Sequence, residues 1–343
     1  MEVLVTGGNG FVGRHLVAAL LERVDRVRVL ALPNEDVSGL DEGVSVHRGD
    51  ICRVDSLVDP MRGVQRVVHL AAMSDVWRPM AQYAAVNVTG TENVCRAALA
   101  AGVDRLVHMS SSSVYGMGHG RPVSEDAPLQ PFADPYPVTK ADADRLVQRM
   151  AVEDGLPAVI IRPDQIFGPG DHVHFGRMAD RLRTGRGIIV GPGHNTVPFV
   201  FVSDAVQGLM LALDHPHAVG RAYNITSDAP LTQRQLFETI AAEIGARPPR
   251  VHVPYRVLYA AAYATERLIA LTGAARRPPL SRVGVAFIGT DNLHAIDRAR
   301  RELAYAPRVP LRDGIRLASV WYLRSSAVTG SAGTPTRAAG QVS

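Results

Sequence analysis

The 343-residue chain is almost without lysine: of its 37 Lys and Arg residues, 36 are arginine and one, Lys140, is lysine. Where arginine serves every generic positive charge, a lone lysine marks a place where a compact ammonium is wanted rather than a planar guanidinium fork. Cysteine is nearly as scarce, with only Cys52 and Cys95, far apart. Two such residues match no metal-ligand spacing, so no metal site is expected. They fit a reducing compartment, and a cytoplasmic location is the expectation. Runs of like charge are missing and the net charge is only +4. A nucleic-acid partner would call for a basic stripe with interleaved aromatics, and none is visible. Long apolar runs are missing as well. The greasiest stretch, residues 257–272, carries Glu266 and Arg267. It is too short and too charged to span a bilayer and reads as an amphipathic helix. The chain opens Met1-Glu2 and runs straight into Val3-Leu4-Val5, without the basic start or cleavage pattern of a signal peptide.

What is present is an apolar content of 46%, ample for a large core. The first half alternates short apolar strands with helical patterns. Strands are expected at residues 3–5, 27–30, 44–46, 67–70, 105–109 and 158–161, and helices at 13–21, 89–101 and 137–154. Strand–helix–strand repetition of this kind builds βαβ units, with right-handed crossovers, on a doubly wound parallel sheet. After Arg162 the texture changes to Gly- and Pro-rich breaks, a strand-like return at 198–202 and further helices. The expected organisation is an α/β dinucleotide-binding domain over residues 1–162, to which 199–226 return. A smaller substrate-binding region spans 163–324 and a disordered tail 325–343.

The segment Gly7-Gly8-Asn9-Gly10-Phe11-Val12-Gly13 follows the first strand and opens the first helix, with glycines at 7, 10 and 13. Glycine lets the backbone turn tightly beside a pyrophosphate, and the helix N-terminus offers free N–H groups and positive dipole potential. At the end of the second strand an acidic residue would hold the ribose of NAD and an arginine would suit NADP. Leu30-Ala31-Leu32-Pro33 offers neither, and Glu35 and Asp36 come late. The absence of a basic residue in that turn favours NAD and leaves NADP open.

Tyr136-Pro137-Val138-Thr139-Lys140 sets a phenol and the single lysine four residues apart, on one face of a helix. A free phenol, with a pKa of about 10, is a poor base at neutral pH. A neighbouring ammonium is expected to lower that value and make the pair a general acid/base for a substrate hydroxyl. Upstream, Ser110 to Ser113 fall at the end of the fifth strand, the edge at which open α/β sheets bind ligands. A hydroxyl there can steady charge on a reacting oxygen.

Together these motifs resemble the extended short-chain dehydrogenase/reductase (NAD-dependent epimerase/dehydratase) family over roughly residues 1–324. The matching pieces are TGGNGFVG (6–13), GDI (49–51), HLAA (69–72), SSSSVYG (110–116), YPVTK (136–140), IRPDQIFGPGD (161–171) and FVFVSDA (199–205). The resemblance implies a Rossmann-type fold, a homodimer and NAD. It makes Ser111, Tyr136 and Lys140 the catalytic set. Gly7, Gly10, Phe11, Val12 and Gly13 become the phosphate turn. Asp50 and Ile51 would flank the adenine, Leu70, Ala71 and Ala72 would line the cofactor, Asn87 would sit behind the site, and Pro163 would contact the nicotinamide. A helix N-cap remains the ordinary alternative for Asn87, and a solvated turn for Asp50.

Departures narrow the branch. Dehydratases of this family carry Asp-Glu where this chain has Ser112-Ser113, and epimerases usually carry Arg where it has Val197. The stretches 191–206, 223–258, 277–282 and 298–315 look like the 3β-hydroxysteroid dehydrogenase branch. The expectation is an oxidoreductase for a secondary alcohol or ketone on an apolar or natural-product-like small molecule, with Ser112, Asp164 and Gln165 as substrate contacts. A nucleotide-sugar epimerase and a non-catalytic dinucleotide sensor are the alternatives. The apolar helix at 257–271 would cap the substrate or simply pack in the core.

Overall fold

The order of strands follows from the alternation just described. A computed structural model of the chain describes residues 1–23, 25–74, 76–272, 278 and 280–331. The elements that frame the site are β1 (Glu2–Thr6), α1 (Phe11–Glu22), β2 (Arg26–Ala31), β3 (Val44–Arg48), β4 (Arg66–His69), α2 (Thr91–Ala101), β5 (Arg105–Met109), α3 (Pro135–Glu153), β6 (Ala158–Pro163), α4 (Val202–Asp214) and β7 (Ala222–Ile225). The seven strands form one sheet in the order β7-β6-β5-β4-β1-β2-β3, and every pairing in it is parallel.

Strand residues alternate between two apolar layers. Val3, Val5, Val68, Val107 and Ile161 belong to one buried cluster with Leu16 and Leu20 of α1 and Leu209 and Leu213 of α4. Leu4, Val67, Leu106 and Ile160 belong to a second, with Val94 and Ala98 of α2 and Val147 and Met150 of α3. The sheet is thus sandwiched, and the C-terminal ends of β1, β4, β5 and β6 open onto one common edge.

Several boundaries differ from the sequence expectation. The first helix starts two residues early, at Phe11, because Gly10 turns the chain without a side-chain cap. The third strand pairs with one neighbour only and exposes three of its five residues, so Val44–Arg48 is an edge strand. The helix expected from residue 89 is preceded by a π-helical stretch, Ala85–Gly90. Phe199–Phe201 does return as a strand, but it pairs with Gln165–Phe167 outside the main sheet. The expected tail begins inside a helix, Leu311–Ser331, and the remainder of it lies outside the described residues. Among the described residues, no helix is long and apolar enough to cross a membrane.

Candidate active site

The glycine turn has the geometry a pyrophosphate requires. Gly7 sits at φ +69°, and a side chain there would meet the backbone N of Ala71 at 2.8 Å. A side chain on Gly13 would strike the Gly7 carbonyl at 2.2 Å, so α1 can pack on the turn only through glycine. The first turn of α1 has no side-chain cap and no acidic residue, which leaves its N–H groups to an anion. Leu70, Ala71 and Ala72 run past the turn at the end of β4, with Phe11 and Val12 opening α1 on its other side. A cleft of about 560 Å³ borders the turn, lined among others by Asn9, Phe11, Arg14, Pro169 and Trp321.

Glu35 is more than a solvated loop residue. Its carboxylate accepts from Asn9 Nδ2 (2.8 Å) and from the Leu32 backbone N–H (3.0 Å), which ties it to the glycine turn. Arg14 is engaged by Asn9 and the Gly39 carbonyl, and Arg48 by the carbonyls of Leu32 and Glu35. Asp50 and Ile51 follow β3. The Asp50 carboxylate accepts from the Cys52 N–H (2.9 Å), and the Ile51 carbonyl accepts from Asn93 (2.9 Å).

The catalytic candidates converge. Asp134 caps α3 by accepting from the Tyr136 N–H, and Pro135 and Pro137 fit the first helical turn. This cap sets the register that brings Tyr136 and Lys140 to the sheet edge. Ser111 draws the Tyr136 phenol down against the effect of burial, and the Ser111 hydroxyl accepts from Ser113 N and Oγ. Lys140 is buried at 3% exposure, and its Nζ donates to the Met109 carbonyl at the end of β5 (2.7 Å).

One electrostatic expectation is corrected. Burial raises the Tyr136 phenol above its usual value, and only the Ser111 hydrogen bond opposes this. Lys140 is not among the groups that move the phenol; its nitrogen is bonded to the Met109 carbonyl. Burial in turn pushes Lys140 itself down to about 8, with Asp144 pulling the other way.

Asn87 proves not to be a helix N-cap. It lies buried within the π-helical stretch, accepts from Met73 N–H (2.7 Å) and donates to Thr139 Oγ1 (3.0 Å). It therefore clamps the loop after β4 to the helical turn between Tyr136 and Lys140. A directed chain lies behind it. Thr91 Oγ1 donates to the Asn87 carbonyl (2.7 Å), so it accepts from His69 Nε2 (2.9 Å). The His69 Nδ1 then accepts from Thr6 (2.7 Å). Burial, aided by Lys140, lowers His69 to about 3, so the imidazole is neutral.

The three substrate candidates part company. Ser112 is buried in the short 3-10 turn after β5. Gln165 is half-buried and donates weakly to the Ile166 carbonyl. Asp164 is 4% exposed and its carboxylate lies 2.6 Å from His294 Nδ1, so it faces another side chain rather than open space. Pro163 ends β6, paired with Ile225. The sequence reading overlooked Asp144. It lies at four-residue spacing beyond Lys140, the same signal that revealed the tyrosine. Among the described residues, no cluster of three or more His, Cys, Asp or Glu could hold a metal.

Comparison with known proteins gives the family. The NAD dependent epimerase/dehydratase family matches residues 3–226. The chain belongs to this family. As such it is an NAD(P)-dependent dehydrogenase or reductase of the extended short-chain type. It is 35% identical to a 2-alkyl-3-oxoalkanoate reductase of Stenotrophomonas maltophilia (strain K279a), across 92% of this chain and 98% of that one. It is 32% identical to a 4-hydroxy-2-methyl-3-oxo-4-farnesyl-3,4-dihydroquinoline-1-oxide ketoreductase of Stigmatella aurantiaca, across 98% and 100%. Among solved structures, gox2253 superposes with a TM-score of 0.81 at 31% identity, over 94% of this chain and 98% of that one. MoeE5, solved with UDP-glucose and NAD, superposes at 0.75 and 27%, over 95% and 100%.

Proposed function

We propose that this family member interconverts a secondary alcohol and a ketone on an apolar or natural-product-like small molecule, with NAD as its hydride partner. In this reading Tyr136 exchanges the proton with the substrate oxygen, Ser111 hydrogen-bonds the same oxygen, and Lys140 holds a fixed positive charge behind them. The carrying observation is that the chain's single lysine is buried, four residues along α3 from Tyr136, with its Nζ held at the C-terminal end of β5 on the sheet edge where the glycine turn also lies.

When bound, the nicotinamide supplies hydride exchange at the carbinol carbon. The protein's own residues do the rest. Gly7, Gly10, Gly13 and the N-terminus of α1 take the pyrophosphate, and Leu70, Ala71, Ala72 and Asn87 wall the ring side. Asp50 and Ile51 flank the adenine, and Pro163 meets the nicotinamide. The Glu35 carboxylate beside the turn supports NAD over NADP, since it would repel a 2′-phosphate. The phenol is raised by burial and stays protonated at neutral pH, which suits proton donation during ketone reduction.

Two features support an apolar substrate over a nucleotide sugar. Val197 is fully buried at the position where epimerases usually place an arginine, and the relatives above are named as reducing keto acids and a farnesylated quinoline. The helix at 255–272 divides its faces. Tyr255, Leu258 and Tyr259 pack with Val190 and Val285, so this side serves the core.

Purified protein is assayed with NADH or NADPH and 2-alkyl-3-oxo acids, and with NAD or NADP and 3β-hydroxysteroids. The expected result is stoichiometric cofactor turnover with NADH or NAD preferred, lost in Lys140→Arg. Product epimers formed without cofactor turnover would point to the epimerase reading.

A further inference from the structure

α3 carries Tyr136, Lys140 and Asp144 at successive four-residue intervals, so one face presents a phenol, an ammonium and a carboxylate in line. Asp144 is completely buried, and its two oxygens are saturated by donors. Arg162 grips it through Nε (2.9 Å) and Nη2 (2.8 Å), Ser110 Oγ donates at 2.6 Å and Gln148 Nε2 at 2.6 Å. An anion so held is ionised, and its place is fixed from β5, β6 and α3 together.

The other groups around Lys140 do not supply a negative charge. His108 on β5 and His69 on β4 are buried and kept neutral. Asn87 and Thr139 are uncharged, and Tyr136 is held protonated by burial. From β6, Arg162 is a cation. Glu125, the other acid near this cluster, accepts from the Asn224 N–H and lies beside Arg298. Among the described residues, the Lys140 ammonium itself is hydrogen-bonded only to a neutral carbonyl.

We propose that Asp144 is a positioning residue for Lys140: its buried, Arg162-clamped carboxylate is the counter-ion that keeps the lysine protonated one helical turn away. This rests on the reading of Tyr136 and Lys140 as the acid/base pair. Arg162 has two roles. It fixes the carboxylate, and it becomes an uncompensated cation if the carboxylate is removed. The network also ties the catalytic helix to the rest of the site, since Arg162 Nη1 donates to Tyr115 Oη (2.7 Å) and Tyr115 donates to Asn224 (2.8 Å).

The composition of the chain makes a direct test feasible. Protein grown with lysine carrying ¹³C at Cε gives a single lysine signal, that of Lys140. Its titration in the full-length wild type is expected near pH 8. In Asp144→Asn the midpoint should fall by about one unit or more, because the ammonium then faces Arg162 alone. In Asp144→Asn/Arg162→Gln, which removes both charges, it should return part of the way. Asp144→Glu should titrate near wild type even with a lower melting temperature. The alkaline limb of the NADH-dependent ketone reduction rate should move with the same midpoints. A midpoint unchanged within about 0.3 unit in Asp144→Asn and in the double variant overturns the proposal. If Asp144→Asn does not fold, the double variant and Asp144→Glu decide: no downward shift in the first relative to the second overturns it. Lys140→Met separates the two readings. Full activity in that variant defeats the acid/base assignment, whereas its inactivity with a flat titration series defeats only the role of Asp144.

Discussion

The two faces of the sheet differ most at its C-terminal edge. On the α1 and α4 side the strands stay apolar to the end, with Val5, Val68, Val107 and Ile161 buried. On the α2 and α3 side the same strands begin apolar and turn polar in their last residues. Leu4, Val67, Leu106 and Ile160 give way to Thr6, His69, His108, Ser110 and Arg162. Thr6, His69, His108 and Arg162 each lie two positions beyond an apolar residue, and Ser110 two beyond His108, so a single strand periodicity carries both. The contrast teaches that this family member concentrates its buried polarity under the helix bearing Tyr136 and Lys140. On the other face the sheet is largely hydrocarbon packing, Arg105 at the start of β5 being a buried exception that donates to the Ala212 and His215 carbonyls.

The largest expected effect lies at the polar end of that contrast. Tyr136→Phe should lower ketone reduction by about 10²–10⁴-fold, with Lys140→Arg similarly impaired and both variants folded by circular dichroism. Wild-type turnover in either would remove the functional meaning of the polar face. Next comes the buried pair itself. Arg162→Met leaves the Asp144 carboxylate uncompensated and should cost about 3–5 kcal/mol in urea unfolding.

Acid sensitivity is the third expectation. Burial depresses His69 to about 3 and holds His108 well below its ordinary value. A base whose folded pKa is depressed takes up a proton on unfolding, so stability is full above the unfolded value near 6.5 and drains away as pH falls. Between pH 7 and 5 His69 should cost about 2 kcal/mol, with His108 acting in the same direction, and His69→Gln should flatten the curve by its share. The smallest effect belongs to the apolar face, where Ile161→Val should cost about 0.5–1.5 kcal/mol and leave the pH profile unchanged.

Much of this edge was legible in the sequence for local reasons. The glycine turn, the Ser-rich strand end and the Tyr–Lys pair are each set by short spacings. The fifth strand fell at Arg105–Met109 because its apolar run is bounded on both sides. What escaped reading depends on contacts distant in sequence. Whether an ammonium lowers a phenol depends on where its nitrogen is held, and Met109 is 31 residues from Lys140. Asp164 looked free for substrate until His294, from the far end of the chain, met it. The π-helical turn around Asn87 has no propensity signal, since it follows from the clamp between Met73 and Thr139. The sixth strand runs on through Pro163 because the ladder there continues past it, from the Asp164 N–H to the Ile225 carbonyl.

The most direct test of the account is to titrate NAD into protein labelled at its one lysine and follow that single signal, with binding confirmed by calorimetry. The account predicts that the Lys140 resonance shifts in step with occupancy and that Gly13→Ala abolishes both. NAD that saturates the protein while the Lys140 signal stays where it was would contradict it.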